Sequence, residues 1–281
     1  MTQASHFQLK KGVDNYAVFG NPIAHSKSPV IHHLFASQCN QNIHYQSVLV
    51  AKDAFDSTLR EFREAGGKGL NVTLPFKAEA YASSDTVSVR ARQAAAVNTI
   101  TFQADGQVFG DNTDGVGLVR DLQANNVELA GARVILLGAG GAARGVLGVL
   151  LEQMVRDITI ANRTLTRAEE LVNLFAGHGT VRACGYDDLQ ETSADIVINA
   201  TSSGLDGERP PVASSIVSGA FCYDMIYGAG ARPFLDWAIA QGARGTADGL
   251  GMLVYQAAEA FHLWRGEQPD AAAVISSLRA G

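Results

Sequence analysis

Apolar residues recur along this chain in two rhythms that alternate from end to end. Short, nearly continuous apolar runs are each followed by a turn marked by glycine, proline or asparagine. Stretches with apolar residues three and four apart come next. Residues 16–19, 44–50 and 69–73 read as strands in the first part of the chain, with helices expected from Pro29, over 55–65 and from Pro75 onward. Ser28 before Pro29 reads as a helix N-cap. Residues 96–100 and 108–110, joined by a turn at 104–107, read as a hairpin, and a helix follows over 116–125. From there strands at 134–137, 157–161, 181–184, 195–199 and 221–225 alternate with helical patterns. The run Val134 to Leu137 is apolar at every position, as a parallel strand covered on both faces requires. The fold class is α/β, and the best domain boundary lies at 111–115, just before the regular alternation begins.

The turn after that strand is the most informative in the chain. Gly138-Ala139-Gly140-Gly141-Ala142 stands between the strand and an apolar helix, where backbone N–H groups and a helix N-terminus can hold a pyrophosphate. Gly138 suits the tight turn, Gly140 lets phosphates approach, and Gly141 and Ala142 keep the helix start small. The third glycine of the strict dinucleotide string is replaced by Ala143, which still meets the steric need. The next strand ends in Asn162-Arg163-Thr164-x-x-Arg167, with no acid to hold ribose hydroxyls. Arg163 and Arg167 with the hydroxyl of Thr164 suit a 2′-phosphate, so the cofactor expected is NADP. Small polar residues around Thr201, after the strand at 195–199, line the cofactor groove without filling it.

Composition narrows the function further. The 281 residues are 47% hydrophobic and 18% charged, an ordinary balance for a globular enzyme-sized chain. A net charge of −6 leaves no basic footprint for nucleic acid. No apolar run is long enough for a bilayer, and the first residues lack a signal-peptide core. Cys39, Cys184 and Cys222 are scattered, and the seven histidines form no metal-binding pattern. These features predict a cytoplasmic, metal-free protein acting on a small molecule, with no membrane or nucleic-acid partner.

Four positions outside the glycine turn stand out. Ser26 is a second hydroxyl in the loop past the first strand, where open α/β sheets bind ligands. Lys77 is expected in the first turn of a helix, a poor place for a cation, with Asn71 and Thr73 nearby. That placement suits a lysine used in proton transfer. Of Asp111, Thr113 and Asp114, one of the first two is expected to cap the following helix, which leaves the Asp114 carboxylate spare. Gln256 lies on the same helical stripe as Leu253 and Ala260, and a polar residue there needs a partner.

Taken together, the strings resemble the shikimate dehydrogenase family, which includes NADP-dependent shikimate and quinate enzymes. They are Gly20-Asn21-Pro22-Ile23-x-His25-Ser26-x-Ser28-Pro29, Asn71-Val72-Thr73-Leu74-Pro75-Phe76-Lys77, Val97-Asn98-Thr99 and Gly110-Asp111-Asn112-Thr113-Asp114-Gly115. The glycine turn, the Asn162 to Arg167 string, Asn199-Ala200-Thr201, Asp224-Met225-Ile226-Tyr227 and Gly249-Leu250-Gly251-Met252-Leu253-x-x-Gln256 complete the set. The resemblance implies reversible NADPH-linked reduction of 3-dehydroshikimate to shikimate in aromatic amino-acid biosynthesis. A quinate or dual-specificity enzyme and a non-catalytic sensor are the alternatives. It implies that Ser26, Ser28, Thr73, Asn98, Asp114, Tyr227 and Gln256 bind substrate, and that Lys77, with Asp114, handles the proton. Asn162, Arg163, Thr164, Arg167, Met225 and Gly249 would hold NADP with the glycine turn. The implied architecture is a substrate domain, 1–113, completed by C-terminal helices at 248–281, and a Rossmann-type NADP domain at 114–247. The implied assembly is a monomer or homodimer. Three positions depart from the family pattern: Ala95 where glycine is frequent, His33 where asparagine is, and Val89 where an acid is.

Overall fold

Strand pairing follows the apolar runs closely. The computed structural model describes residues 7–189 and 193–280, and divides the chain into two units, Met1–Thr113 with Val254–Gly281, and Asp114–Leu253. In the first, β1 (Asp14–Gly20), β2 (Ile43–Leu49), β3 (Gly67–Val72), β4 (Thr86–Val87), β5 (Thr99–Phe102) and β6 (Val108–Asp111) form a sheet in the order β2-β1-β3-β5-β6-β4. The expected hairpin is present, and its first strand β5 runs antiparallel to both neighbours. Helix α1 spans Ser28–Gln38 and α2 spans Phe55–Glu64, followed by α3 (Lys77–Ala82) and α4 (Val89–Ala94).

Alternation along the strands decides which side chains each face buries. Ala17, Phe19, Leu70, Val72 and Ile100 pack against Phe55, Leu59 and Phe62, the apolar stripe of α2. Tyr16, Val18 and Tyr45 on the other face pack near Trp264 of α9 (Leu250–Arg265), whose indole N–H donates to the Ile100 carbonyl at 3.0 Å. The chain end returns to this unit. Gln38 exchanges two hydrogen bonds with the Asp270 backbone just ahead of α10 (Ala271–Ala280).

The second unit comprises α5 (Asp114–Ala124), β7 (Arg133–Leu137), α6 (Gly141–Glu152), β8 (Asp157–Ala161), α7 (Leu165–Leu174), β9 (Val181–Cys184), β10 (Ile196–Asn199), β11 (Phe221–Asp224), α8 (Arg232–Ala240) and β12 (Gly245–Asp248). Its sheet is wholly parallel, in the order β12-β11-β10-β7-β8-β9. Val134, Leu136, Ile158, Ile160, Ile196 and Ile198 fill one face; Ile135, Leu137, Val197 and Cys222 meet Phe234 and Ala238 on the other. This is the doubly wound order, and its switch point lies between β7 and β10, where a crevice opens beyond the strand ends.

Several local expectations shift. By contacts, the second division of the chain falls between Leu253 and Val254, inside α9. Lys27, in a helical conformation, takes the N-cap position of α1, and the Ser28 N–H donates to Ser26 Oγ at 3.3 Å. The local capping bond therefore belongs to Ser26 rather than Ser28. Helix α3 starts at Lys77, after a turn closed by the Phe76 N–H on the Thr73 carbonyl at 3.1 Å, rather than at Pro75. Asp111 ends β6 and is held by Arg90 Nε at 2.8 Å and by the Asn112 N–H at 2.7 Å, so it caps no helix. Residues 245–248 form a strand that the weak apolar pattern did not announce, since an edge strand pairs with one neighbour only.

Ala95, one of the departures from the family pattern, ends α4 with φ +42°, in the left-handed region. That conformation costs an L-residue roughly 1–2 kcal/mol. Glycine's extra freedom in the unfolded chain returns about 0.5–1 kcal/mol of this. Ala95→Gly is therefore expected to stabilise the protein by about 0.5–1 kcal/mol in urea unfolding. A less stable variant would show that methyl packing outweighs the backbone strain.

Candidate active site

In the first unit, buried polar side chains line up at the carboxyl end of the sheet. The Tyr45 hydroxyl donates to Asn71 Oδ1 at 2.7 Å, and Asn71 Nδ2 donates to the Asn98 carbonyl at 3.2 Å and to Thr99 Oγ1 at 3.1 Å. The Thr99 hydroxyl donates to Asn98 Oδ1 at 2.9 Å, which also accepts the Thr113 backbone N–H at 2.9 Å. Asn98 Nδ2 then donates to Thr113 Oγ1 at 3.0 Å and to Gln256 Oε1 at 3.3 Å. Asn98 is 3% exposed and Gln256 8%, so each amide group is held by protein partners rather than by bulk water. The polar residue on the α9 stripe thus finds its partners in Asn98 and Thr113.

Backbone bonds fix two other expected substrate positions near the same strand ends. The Val97 N–H donates to the Lys77 carbonyl at 2.9 Å, which fixes the start of α3 beside the residue before Asn98. The Thr73 N–H donates to the Phe19 carbonyl at 2.9 Å, at the end of β1. Ser26 and Ser28 lie in the loop and first turn beyond that same strand, Ser28 buried and Ser26 half-buried. Asp114 opens α5 immediately after Thr113 and is 8% exposed.

Tyr45, Thr99 and Thr113 are members of the network that sequence reasoning did not assign to the site. In an alternating strand a tyrosine or threonine reads as core or as surface. Only the unlike polar groups found opposite them mark them as part of a network. His32 supports Tyr45 from behind, ring on ring at 4.2 Å and 10°. Complete burial pushes His32 down to about 3, so it is a neutral plate at working pH.

In the second unit the glycine turn lies at the switch point. Gly138 has φ +101°, and a Cβ there would stand 3.1 Å from Thr201 Cγ2 and 3.2 Å from the Ala200 carbonyl oxygen, so the turn requires glycine. A Cβ at Gly140 or Gly141 would meet nothing within 4 Å, which leaves the space over the start of α6 open. Asn162 Oδ1 accepts the Ala139 N–H at 3.2 Å and its Nδ2 donates to the Thr164 carbonyl at 2.8 Å, tying the glycine turn to the exit of β8. Ala142, Arg163, Thr164 and Arg167 are exposed around that exit and the adjoining helix starts. Open space over a helix N-terminus, flanked by two guanidiniums and lacking a ribose-binding acid, fits NADP.

At the far side of the crevice, Asn199 Oδ1 accepts the Thr201 N–H at 3.1 Å and hydroxyl at 2.7 Å, while Nδ2 donates to Asp224 Oδ2 at 2.8 Å. Asp224 Oδ1 accepts the Ile226 N–H at 2.8 Å, which sets the course of Met225. A Cβ at Gly249 would lie 2.2 Å from the Met225 carbonyl oxygen, so those two expected cofactor residues touch backbone to backbone. Tyr227 follows, half-buried, with its phenol pushed up by burial.

Fold and site together define a pyridine-nucleotide oxidoreductase with a separate polar substrate unit. Residues 18–100 match the shikimate dehydrogenase substrate binding domain, 121–206 the shikimate / quinate 5-dehydrogenase family, and 249–279 the shikimate 5′-dehydrogenase C-terminal domain. The chain is 53% identical to shikimate dehydrogenase (NADP(+)) of Cellvibrio japonicus, over 95% of this chain and 97% of that one. It is 52% identical to the enzyme of the same name from Halorhodospira halophila, over 95% and 99%. A solved structure of shikimate 5-dehydrogenase from Thermus thermophilus, in complex with NADP(H) and shikimate, superimposes with a TM-score of 0.84. It is 33% identical, over 95% of this chain and 99% of that one. The chain belongs to the family of NADP-dependent shikimate dehydrogenases.

Burial pushes Asp224 up to about 6, and Asp248 adds to the rise, against the opposing hydrogen bonds from Ile226 and Asn199. The folded state therefore holds this proton more tightly than the unfolded chain does. Stability attributable to Asp224 is present at about pH 4 and is lost as pH rises through about 6. The difference in unfolding free energy between wild type and Asp224→Asn should shift against wild type across that window and stay flat above it. A pH-independent difference would place the Asp224 titration at its ordinary value.

Proposed function

We propose that the protein catalyses the reversible NADPH-linked reduction of 3-dehydroshikimate to shikimate, the step that its family carries out in aromatic amino-acid biosynthesis. The observation that carries this reading is the buried amide pair Asn98–Gln256, bonded to Thr113, the residue before Asp114, and next in sequence to Val97, whose N–H meets the Lys77 carbonyl. Amides held in this way offer donors and acceptors at set positions, which suits a small polyhydroxylated acid better than an apolar or phosphorylated substrate. Ser26, Ser28, Thr73 and Tyr227 add hydroxyls for the remaining substrate oxygens. The loop carries serine at both positions 26 and 28, which favours shikimate over quinate.

NADPH, when bound along the glycine turn, supplies the hydride. The protein must deliver a proton to the ketone oxygen as negative charge develops there, and Lys77 is the group assigned to do so. Asp114 accepts a hydrogen bond from the neighbouring substrate hydroxyl and so helps to orient the reacting carbon. In the oxidative direction the same lysine takes the hydroxyl proton. Arg163 and Arg167 hold the 2′-phosphate with Thr164, while Asn162, Thr201, Met225 and Gly249 shape the rest of the cofactor groove.

Purified protein supplied with NADP⁺ should reduce it with shikimate and far less with quinate; the opposite preference would replace this substrate assignment. Lys77→Ala should lower kcat by about 10²–10⁴-fold, with a much smaller change in the KM for shikimate. Near-normal turnover in that variant would remove Lys77 from the mechanism. Arg163→Ala or Arg167→Ala should raise the KM for NADP⁺ about tenfold or more, since a charge-assisted contact is worth roughly 1.5–3 kcal/mol. The KM for NAD⁺ should hardly move, and an equal loss for both cofactors would mean that these arginines do not read the 2′-phosphate.

A further inference from the structure

A buried acid–phenol contact in the second unit lies outside every role assigned so far. Asp121 is 4% exposed and Tyr223 fully buried, and the phenol donates to Asp121 Oδ2 at 2.6 Å. The Met252 backbone N–H donates to the same phenol oxygen. Asn125 Nδ2 donates to Asp121 Oδ1 at 3.1 Å. A Cβ at Gly251 would lie 2.0 Å from that oxygen, so the carboxylate presses directly on the first turn of α9 and only glycine fits there. A negative charge at that end of a 16-residue helix is favourably placed.

The contact gathers three elements that each present a residue of the proposed site. Asp121 stands two turns along α5 from Asp114, on the same face. Tyr223 is followed by Asp224, the last residue of β11, and then by Met225 just beyond it. The first turn of α9 follows Gly249, whose N–H donates to the Ile226 carbonyl at 3.0 Å, and Asp248 Oδ2 accepts the Gly228 N–H at 3.0 Å. The exit of β11 and the start of α9 are therefore one block, and the Asp121–Tyr223 bond pins that block to α5. An apolar pair of similar volume would fill this space without desolvating a carboxylate. What the polar pair adds is direction, because it sets Met252, and hence Gly249, relative to Met225.

We propose that Asp121 and Tyr223 are positioning residues for the nicotinamide end of the cofactor site, holding Met225 and Gly249 in the register that binding and hydride transfer require. This rests on the reading that Met225 and Gly249 hold NADP. The test uses the full chain, Tyr223→Phe and Asp121→Asn, and two ligands. NADPH carries both halves of the cofactor, whereas 2′,5′-ADP carries the phosphorylated adenosine half and no nicotinamide. Each variant should bind NADPH about tenfold more weakly, or turn over about tenfold more slowly, while its affinity for 2′,5′-ADP stays within about twofold of wild type. Unchanged NADPH affinity and turnover in both variants would overturn the proposal. Equal loss of both ligands, or failure of both variants to fold, would make the contact a support of the fold and overturn it as well. The underlying reading has a separate readout: Gly249→Ala must weaken NADPH while sparing 2′,5′-ADP, and if it does not, that reading fails whatever Tyr223→Phe does.

Discussion

The backbone N–H of Thr113 can only donate, and it faces the side-chain oxygen of Asn98. That one constraint settles which end of the Asn98 amide is which, and the rest of the substrate unit follows from it. With the oxygen committed to Thr113 and Thr99, the nitrogen must face the Thr113 hydroxyl and Gln256. Gln256 then presents its oxygen inward, and Asn71 is oriented in turn by the Asn98 carbonyl and the Tyr45 hydroxyl. Flipping any amide in this chain would set donor against donor or acceptor against acceptor, at roughly 1–3 kcal/mol for each buried group left unmet. Groups held in this way have their directions set before any ligand arrives, which lowers the cost of ordering them on binding.

The second unit solves its own problem in the same way. Asn199 ends a central strand, gives its oxygen to Thr201 and must turn its nitrogen to Asp224. Asp224 can stay buried because Ile226 and Asn199 both donate to it, although burial still raises its affinity for a proton. In both units an asparagine at a strand end converts the regular geometry of a sheet into a fixed direction for the loop beyond. This is where an open α/β sheet has room for ligands, since the strand ends stop and the helices have not yet closed over them.

Aromatic packing gives these polar groups a rigid backing. Tyr45, His32 and Trp264 pack on one another as a three-ring cluster, and Trp264 stacks on Tyr16 at 4.6 Å. Because His32 is neutral when buried, it brings no charge to this cluster, and the Tyr45 hydroxyl points at Asn71. The helix that brings Trp264 also brings Gln256, so docking of its apolar face and completion of the amide network are one event.

Much of this was legible in the sequence, for a definite reason. Val134 to Leu137 had to be a doubly covered parallel strand, and Gly138 to Ala142 a turn into a helix, because period, length and glycine placement are local properties. Arg163 and Arg167 without a neighbouring acid spoke for NADP on charge alone, and Lys77 and Asp114 were visible as polar groups in places that a fold does not need them, whereas Ser26 turns out to take a local bond from the Ser28 N–H. Boundaries that depend on a single neighbour were not legible. Residues 245–248 become a strand only because β11 lies beside them, and Asp111 turns away from α5 only because Arg90 reaches it. Nor could the chain, read in order, show that Tyr45, Thr99, Thr113 and Gln256 share one network, or that Asp121 meets Tyr223. Sequence determines which residues are polar and which elements carry them. Hydrogen-bond direction is a property of pairs distant along the chain, so only the tertiary structure decided which of those residues face one another.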